Sequence, residues 1–132
     1  MNLSVCTITF RHQLISIAEI AKWSVANGFQ GIELWGAHAT NLEDQPEYGK
    51  EWLSSYALKT SMLSDYLPLF EGNDALYFKV HRLCRLAKHW GATKIRTFAG
   101  NEGSAAIPED RKTCFSSGYN LFVIGLATMG LT

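Results

Sequence analysis

Three polar side chains stand in or beside short apolar stretches, where folding could bring them together for chemistry. Glu33 and Arg96 each interrupt one such stretch, and Tyr66 follows another. A carboxylate in a buried strand is costly unless it is paired or used, whereas a guanidinium is shaped to bind a carboxylate through two parallel hydrogen bonds. These residues are therefore candidates for a small-molecule site. The alternatives are a structural ion pair between Glu33 and Arg96 and simple packing of the Tyr66 ring.

The elements that would position these residues alternate between strands and helices. The apolar, β-branched run 3–10 predicts a first strand. A capping box of Ser16 and Glu19 predicts a helix over 16–27 that stops at Gly28. Similar signals predict the remaining order: a strand at 31–35, a loop at 36–38, a helix from 44–46, a strand at 59–64, a helix at 75–90 and a strand at 93–98.

The stretches 28–35 and 91–98 follow one pattern. Each has a Gly at a helix end, then a strand in which a charged residue lies two positions before an aromatic. Such a repeat within alternating strands and helices is typical of βα units around a parallel sheet. We predict an α/β fold, the N-terminal half of a (β/α)8 TIM barrel with about four parallel strands. Because chemistry in these barrels lies at the carboxyl ends of the strands, Glu33, Tyr66 and Arg96 should converge there.

Composition excludes several classes of function. The chain has 132 residues, is 47% hydrophobic, and balances 12 basic against 12 acidic residues, so no electrostatic argument favours nucleic acid. The basic stretch 81–89 is therefore expected to be a solvated helix face. Three widely spaced cysteines fit reduced thiols. The N-terminus has no secretory pattern, and the apolar run 119–131 is shorter than the ~20 residues of a membrane helix. A cytoplasmic protein that binds no membrane is expected.

Four segments in fixed order carry a resemblance to a known family. They are CTITFRHQ at 6–13, GIELWG at 31–36 with His38 beyond it, SDYL at 64–67 and KIRTFAG at 94–100. Together they resemble the bacterial 3-dehydroshikimate dehydratases of the xylose isomerase-like barrel superfamily. The resemblance implies a (β/α)8 barrel that uses a divalent metal, Mn²⁺ or Mg²⁺, and a general-base His. It also implies dehydration of 3-dehydroshikimate to 3,4-dihydroxybenzoate, for siderophore synthesis or quinate breakdown.

The resemblance also implies which residues meet the substrate, a small carboxylated ring. The residues that match Arg96 and Tyr66 lie on the substrate in that family. Glu33, His12 and His38 fall in matching segments at the barrel mouth. The metal ligands and the general base of the family belong to later strands, so the catalytic residues remain unknown. We therefore expect no tightly bound metal on this chain.

Length sets a boundary within the sequence. A barrel of this type needs about 250 residues, so residues 1–111 are predicted to form a partial barrel. Residues 112–132 lose the helical pattern, and we hypothesise that they are an out-of-frame tail on a truncated, inactive dehydratase. Open barrel edges would favour a homo-oligomer. Two alternatives stay open: a sugar isomerase or epimerase of the same superfamily, and a non-catalytic half-barrel that associates with itself.

Overall fold

The protein is built around a sheet of four parallel strands in the order β1-β2-β3-β4. The computed structural model describes residues 2–68 and 73–98, together with residues 108, 126, 127, 130 and 131. Over that part of the chain the strands are β1, Ser4–Cys6; β2, Gly31–Trp35; β3, Lys59–Tyr66; and β4, Ile95–Phe98. The helices there are α1, Ile17–Ala26; α2, Gly36–Asn41; α3, Lys50–Ser55; and α4, Asn73–Trp90. Parallel strands joined through helices confirm the predicted α/β class.

The capping box at the start of α1 forms as predicted. The Glu19 amide donates to the Ser16 hydroxyl at 3.2 Å, and the Glu19 carboxylate accepts the Ser16 amide at 2.8 Å. These bonds from Ser16 hold the pKa of the Glu19 carboxyl below its ordinary value. The box satisfies two amides that the first helical turn would otherwise leave without a partner, and it fixes where α1 leaves the preceding loop.

The helix ends repeat as the sequence pattern indicates. Gly28 after α1 and Gly91 after α4 have positive φ angles of 76° and 71°, a conformation that glycine adopts without steric cost. In both turns the next amide bonds to a carbonyl five residues back: Phe29 to Ser24 at 3.0 Å and Ala92 to Ala87 at 2.8 Å. This closure turns the chain from each helix directly toward the following strand.

One face of the sheet packs on the helices. Leu34, Leu63 and Ile95 are in register across β2, β3 and β4, and all are buried against α4. The α4 residues in this core are Leu76, Val80, Leu83, Cys84, Leu86, Ala87 and Trp90. An aromatic cluster lies along α3, where the centre of the Trp52 ring is 4.9 Å from that of Tyr48 and 5.1 Å from that of Tyr56. The opposite face of the sheet is therefore left for the polar side chains.

Three predicted boundaries are wrong. The first strand ends at Cys6, and a 3₁₀ helix, Thr7–Phe10, replaces its second half, because the buried Thr7 bonds across to β2. The predicted loop 36–38 is the first half of α2, whose Ala39 is buried in the core. The helix expected from 44–46 begins at Lys50, because turns through Gln45 and Tyr48 come first.

The other strands and helices follow the prediction with small shifts. β3 continues two residues further, to Tyr66, α4 begins two residues earlier, at Asn73, and β4 begins at Ile95. The sequence also predicts a loop at 100–103 and a helix that opens at 108–111. Apart from residue 108, these stretches lie outside the described residues, as does most of the tail 112–132. None of the helices in the described part is long and apolar enough to cross a membrane.

Candidate functional site

The face of the sheet opposite the helices carries the candidate site. Strand register places Ser64 beside Arg96 and Tyr66 beside Phe98, on the face opposite Leu63 and Ile95. Side chains alternate along a strand, so the same face of β2 carries Glu33. We call this group the site face: Cys6, Glu33, Ser64, Tyr66, Arg96 and Phe98. The predicted convergence of Glu33, Tyr66 and Arg96 on one side of the sheet is what the structure shows.

Glu33 and Arg96 are in direct contact. The Arg96 Nη2 group donates a hydrogen bond to Glu33 Oε1, which links β2 to β4 across β3. Cys6 lies beside this pair, with its Sγ 4.0 Å from Arg96 Nη2. Burial raises the pKa of the Cys6 thiol, and the nearby Glu33 carboxylate raises it further, so the thiol stays protonated near neutral pH. The charges of Glu33 and Arg96 balance each other, and their contact holds the two side chains together. The Arg96 side chain is still 45% exposed.

Aromatic rings extend the site face beside Arg96. Tyr66 and Phe98 stack with their centroids 4.8 Å apart and their planes 28° apart. The guanidinium carbon of Arg96 lies 5.0 Å from the centre of the Phe98 ring, within the range of a cation–π interaction. Tyr66 itself is 44% exposed. A half-open guanidinium next to an accessible phenol ring is suited to a flat molecule that carries a carboxylate.

Sequence reasoning missed Thr7, which joins the ends of β1 and β2. Its fully buried hydroxyl accepts the Trp35 amide at 2.9 Å and lies 2.9 Å from His38 Nδ1. Pairing between the two strands ends at Cys6 and Glu33, two residues before β2 ends at Trp35. The Thr7 hydroxyl thus satisfies an amide that the strand ladder does not reach. The only sequence signal was its place beside Cys6 in the first matched segment.

We expect Thr7→Val to lower the free energy of unfolding by about 1–3 kcal/mol, because it leaves the Trp35 amide without its acceptor. Thr7→Ser is the matched control, since it keeps the hydroxyl and should retain most of the stability. Urea denaturation of the three proteins measures the difference. Equal midpoints for the valine variant and the wild type would show that this hydrogen bond is unimportant.

The two histidines predicted at the mouth have different surroundings. His12 is exposed in the turn that follows the 3₁₀ helix. His38 lies on α2, with its ring edge-on to Trp35 at 5.3 Å. It also lines a pocket of about 200 Å³ between α1 and α2, on the helical side of the sheet. Within the part of the chain that the structure describes, neither His12 nor His38 forms a hydrogen bond or an ion pair with Arg96 or Glu33.

Burial lowers the pKa of His38 below its ordinary value. A neutral imidazole can accept the Thr7 hydroxyl proton at Nδ1, and protonation would remove that acceptor. The unfolded chain takes up this proton at about pH 6.5, whereas the folded chain takes it up only at lower pH. The contribution of neutral His38 to the free energy of unfolding is therefore complete above about pH 6.5 and is lost as the pH falls below that value.

We expect His38→Gln to make the free energy of unfolding less dependent on pH between about 7 and 5, because the half-buried titrating group is gone. His12→Gln is the matched control for the loss of one histidine, since His12 is exposed. Denaturant titrations across this pH range provide the measurement. A wild-type slope in the His38 variant would contradict the assignment.

The described residues do not form a metal site. Within residues 2–68 and 73–98, no group of three His, Cys, Asp or Glu side chains is close enough to hold an ion. The carboxylate of Glu33 is paired with Arg96 instead, so it is already engaged by a cation and is poorly suited to bind a metal ion. The divalent metal that the family resemblance implies therefore has no ligand set among the described residues.

Comparison with known proteins identifies the fold of this chain. No family model matches the sequence. In fold, the chain is half of a TIM barrel: it superimposes on a xylose isomerase domain protein from Alicyclobacillus acidocaldarius with a TM-score of 0.78, at 12% identity, over 99% of this chain and 48% of that one. At that identity the likeness shows the fold alone.

A more specific likeness is to a 3-dehydroshikimate dehydratase. The chain is 42% identical over 118 residues to the 3-dehydroshikimate dehydratase of Bacillus anthracis, a match that covers 85% of this chain and 42% of that protein. The crystal structure of the probable 3-DHS dehydratase AsbF, involved in petrobactin synthesis in B. anthracis, superimposes with a TM-score of 0.87 and 36% identity over 99% of this chain and 50% of that one.

The predicted resemblance to the N-terminal part of the 3-dehydroshikimate dehydratases is thereby confirmed. The chain spans less than half the length of the curated relative and half of the related crystal structure. These comparisons support the fold and the relationship. The roles of Arg96, Tyr66, Glu33, His12 and His38 stay predictions.

Proposed function

We propose that this chain forms the substrate-binding part of a 3-dehydroshikimate dehydratase, a lyase that removes water from 3-dehydroshikimate to give 3,4-dihydroxybenzoate. The observation that carries the proposal is the half-exposed Arg96, fixed on the site face beside an accessible Tyr66 ring. The 42% identity to a protein of that name supports the choice of substrate. A cytoplasmic location stays a prediction.

Arg96 is the residue that we propose binds the substrate carboxylate. Its guanidinium has five N–H donors. The Nη2 group bonds to Glu33 and lies 4.0 Å from the Cys6 sulfur, which leaves the donors on the other nitrogens for a ligand. Glu33 holds the guanidinium in place, so less side-chain freedom is lost when a ligand binds. A second carboxylate beside Glu33 would repel it unless the guanidinium lies between the two. Arg96 is therefore placed to bridge Glu33 and the substrate.

Tyr66 is placed to cover the substrate ring. Its ring stacks on Phe98 and the residue as a whole is 44% exposed, so a planar ligand bound to Arg96 can contact the ring edge or the phenol hydroxyl. The metal and the general base of the family are expected on residues outside this site face. We therefore expect the isolated chain not to turn over 3-dehydroshikimate, with or without Mn²⁺. Turnover by the purified chain would contradict this.

The proposal is tested by binding rather than by turnover. We expect 3,4-dihydroxybenzoate to shift the NMR signals of the Arg96 side chain and the Tyr66 ring in a labelled sample. Catechol has the same ring and hydroxyls but no carboxylate, and it should bind at least tenfold more weakly if the carboxylate contact contributes about 1.4 kcal/mol or more.

Two outcomes would contradict the proposal. Equal affinity for catechol and 3,4-dihydroxybenzoate would show that Arg96 does not select a carboxylate. Shifts confined to residues on the helical side, such as those lining the pocket near His38, would place the ligand elsewhere. A keto sugar without a carboxylate serves as a further ligand, because tighter binding of the sugar would favour the isomerase or epimerase alternative.

A second proposal concerns association. Among the described residues, β1 pairs with β2 alone and β4 pairs with β3 alone, so one side of each outer strand presents unpaired backbone groups. Such edges pair readily with another chain. We propose that copies of this chain associate through β1 and β4, which would make it a homo-oligomer. Light scattering should show a mass above that of one chain, and a monomer at every concentration would contradict this.

A further inference from the structure

We infer that Asp65 is a positioning residue that fixes Tyr66 at the rim of the site face, and this inference rests on the proposed function of Tyr66. Asp65 lies on β3 between two site-face residues, Ser64 and Tyr66, but on the opposite side of the strand, with Leu63. It is a carboxylate only 8% exposed. A charge buried at the end of an apolar row is costly unless specific partners hold it.

Both carboxylate oxygens of Asp65 have a partner. Oδ1 accepts the backbone amide of Tyr66 at 2.8 Å, and Oδ2 is 2.6 Å from the Nζ of Lys79 on α4. Lys79 is partly exposed, so its ammonium remains hydrated while it neutralises the carboxylate. One carboxylate thus ties the Tyr66 backbone to the longest helix of the described structure.

The location of this contact explains why the amide needs it. The pairing of β2 with β3 ends where Trp35 lies beside Ser64, and the chain then turns into α2. β3 continues for two more residues, to Tyr66. The Tyr66 backbone therefore extends past the end of β2, where no β2 carbonyl can accept its amide. The Asp65 carboxylate accepts that amide instead. Thr7 does the same for the overhanging amide of Trp35 at the neighbouring strand end.

Gly36 completes the arrangement. A Cβ on Gly36 would overlap the carboxylate of Asp65 and lie 2.7 Å from the Asp65 Cβ, closer than real Cβ atoms approach. The first turn of α2 thus packs directly on Asp65, and only glycine leaves room for it. Asp65 therefore holds three segments at one point: the end of β3, the start of α2, and α4 through Lys79.

The consequence for the site is indirect but local. The Tyr66 backbone is held from below by Asp65, and the Tyr66 ring is held above by its stack on Phe98. If the carboxylate loses its charge, the Tyr66 amide loses its strong acceptor. If it loses its lysine, no cation holds the buried carboxylate in this position. Either change loosens one of the two constraints on Tyr66. Asp65 touches no substrate in this arrangement and acts only through Tyr66.

The test uses the whole 132-residue chain with labelled tyrosines. We expect Asp65→Asn and Lys79→Met to shift and broaden the Tyr66 ring signals, while the signals of Tyr56, which packs on Trp52, stay unchanged. Lys79→Arg keeps the cation and should restore the wild-type Tyr66 signals. A purely stabilising role would lower the unfolding midpoint in the methionine variant without this selective change at Tyr66.

The readouts separate this inference from the proposed function. Unchanged Tyr66 signals in Lys79→Met, a variant of a partly exposed residue that should fold, would overturn the inference even if Asp65→Asn does not fold. Tyr66 signals that change without any binding of 3,4-dihydroxybenzoate to the wild type would uphold the positioning and reject the proposed function. Where the wild type does bind, we expect at least threefold weaker binding in Lys79→Met and wild-type binding in Lys79→Arg. Equal binding in all three would overturn the inference.

Discussion

Arg96→Met is expected to weaken the binding of 3,4-dihydroxybenzoate by about 30-fold or more. A hydrogen bond to a charged group contributes about 1.5–3 kcal/mol, and the variant removes the cation that we propose meets the ligand carboxylate. It also leaves Glu33 without its partner on the site face. The carboxylate of the ligand would then be repelled by the unpaired carboxylate of Glu33. Calorimetric or NMR titration of the two proteins measures the ratio.

The matched control for this variant is Arg82→Met. Arg82 also forms an ion pair, with Glu43, but it lies on α4, away from the site face. Its hydrogen bond to Glu43 lowers the pKa of that carboxyl. Arg85 stays paired with Glu43 in the variant, so the change removes one paired arginine without leaving a carboxylate unpaired. We expect it to bind the ligand as the wild type does. A similar loss in both variants would mean that general charge, and not the position of Arg96, attracts the ligand.

Trp90→Ala is expected to lower the free energy of unfolding by about 3–5 kcal/mol, the usual loss when a buried large aromatic is truncated. Trp90 is 1% exposed and packs edge-on against Trp52 at 6.3 Å. Its carbonyl accepts the Thr60 hydroxyl at 2.7 Å, which joins the end of α4 to β3. The variant would leave a cavity between the sheet and the helices that cover it. Urea denaturation gives the difference in stability.

Tyr77→Ala on the same helix is the comparison for this loss. Tyr77 is 63% exposed, so its truncation removes little buried surface and should change stability by less than about 0.5 kcal/mol. A loss below about 1 kcal/mol for Trp90→Ala would show that α4 does not pack on the sheet as described.

Much of the fold could be predicted because its signals are local. The capping box of Ser16 and Glu19 and the stops at Gly28 and Gly91 depend on residues within one helical turn, and each forms as predicted. Apolar runs located β2 and β4 within two residues for the same reason. The parallel direction of the strands followed from the alternation of strands and helices, because each helix crosses over one face of the sheet and returns the chain to the same end.

The parts that could not be predicted depend on contacts between distant segments. The chain leaves β1 at Cys6 because Thr7 bonds to Trp35, 28 residues away. α2 begins with Gly36 and has no side-chain cap, so the local sequence gives no signal for the start of this helix. The tight packing of Gly36 on Asp65 is likewise invisible in sequence.

The candidate site was partly predictable. Alternation along the strands was enough to place Glu33, Tyr66 and Arg96 on one face, but not to show that Glu33 pairs with Arg96 or that Tyr66 stacks on Phe98. The matched segments alone suggested His12 and His38, and the structure places His38 against Thr7 and Trp35. Motifs identify the strand ends that meet, whereas side-chain partners depend on rotamers that no motif encodes.

The central claim is that residues 2–98 form a working half of a dehydratase site. A chimera tests it directly: these residues replace the matching segment of the B. anthracis 3-dehydroshikimate dehydratase, which supplies the rest of the barrel. We predict that the chimera converts 3-dehydroshikimate to 3,4-dihydroxybenzoate and that Arg96→Met lowers its kcat/KM at least about 30-fold, the rate equivalent of about 2 kcal/mol. A folded chimera with no activity, or one whose activity does not depend on Arg96, would contradict the account.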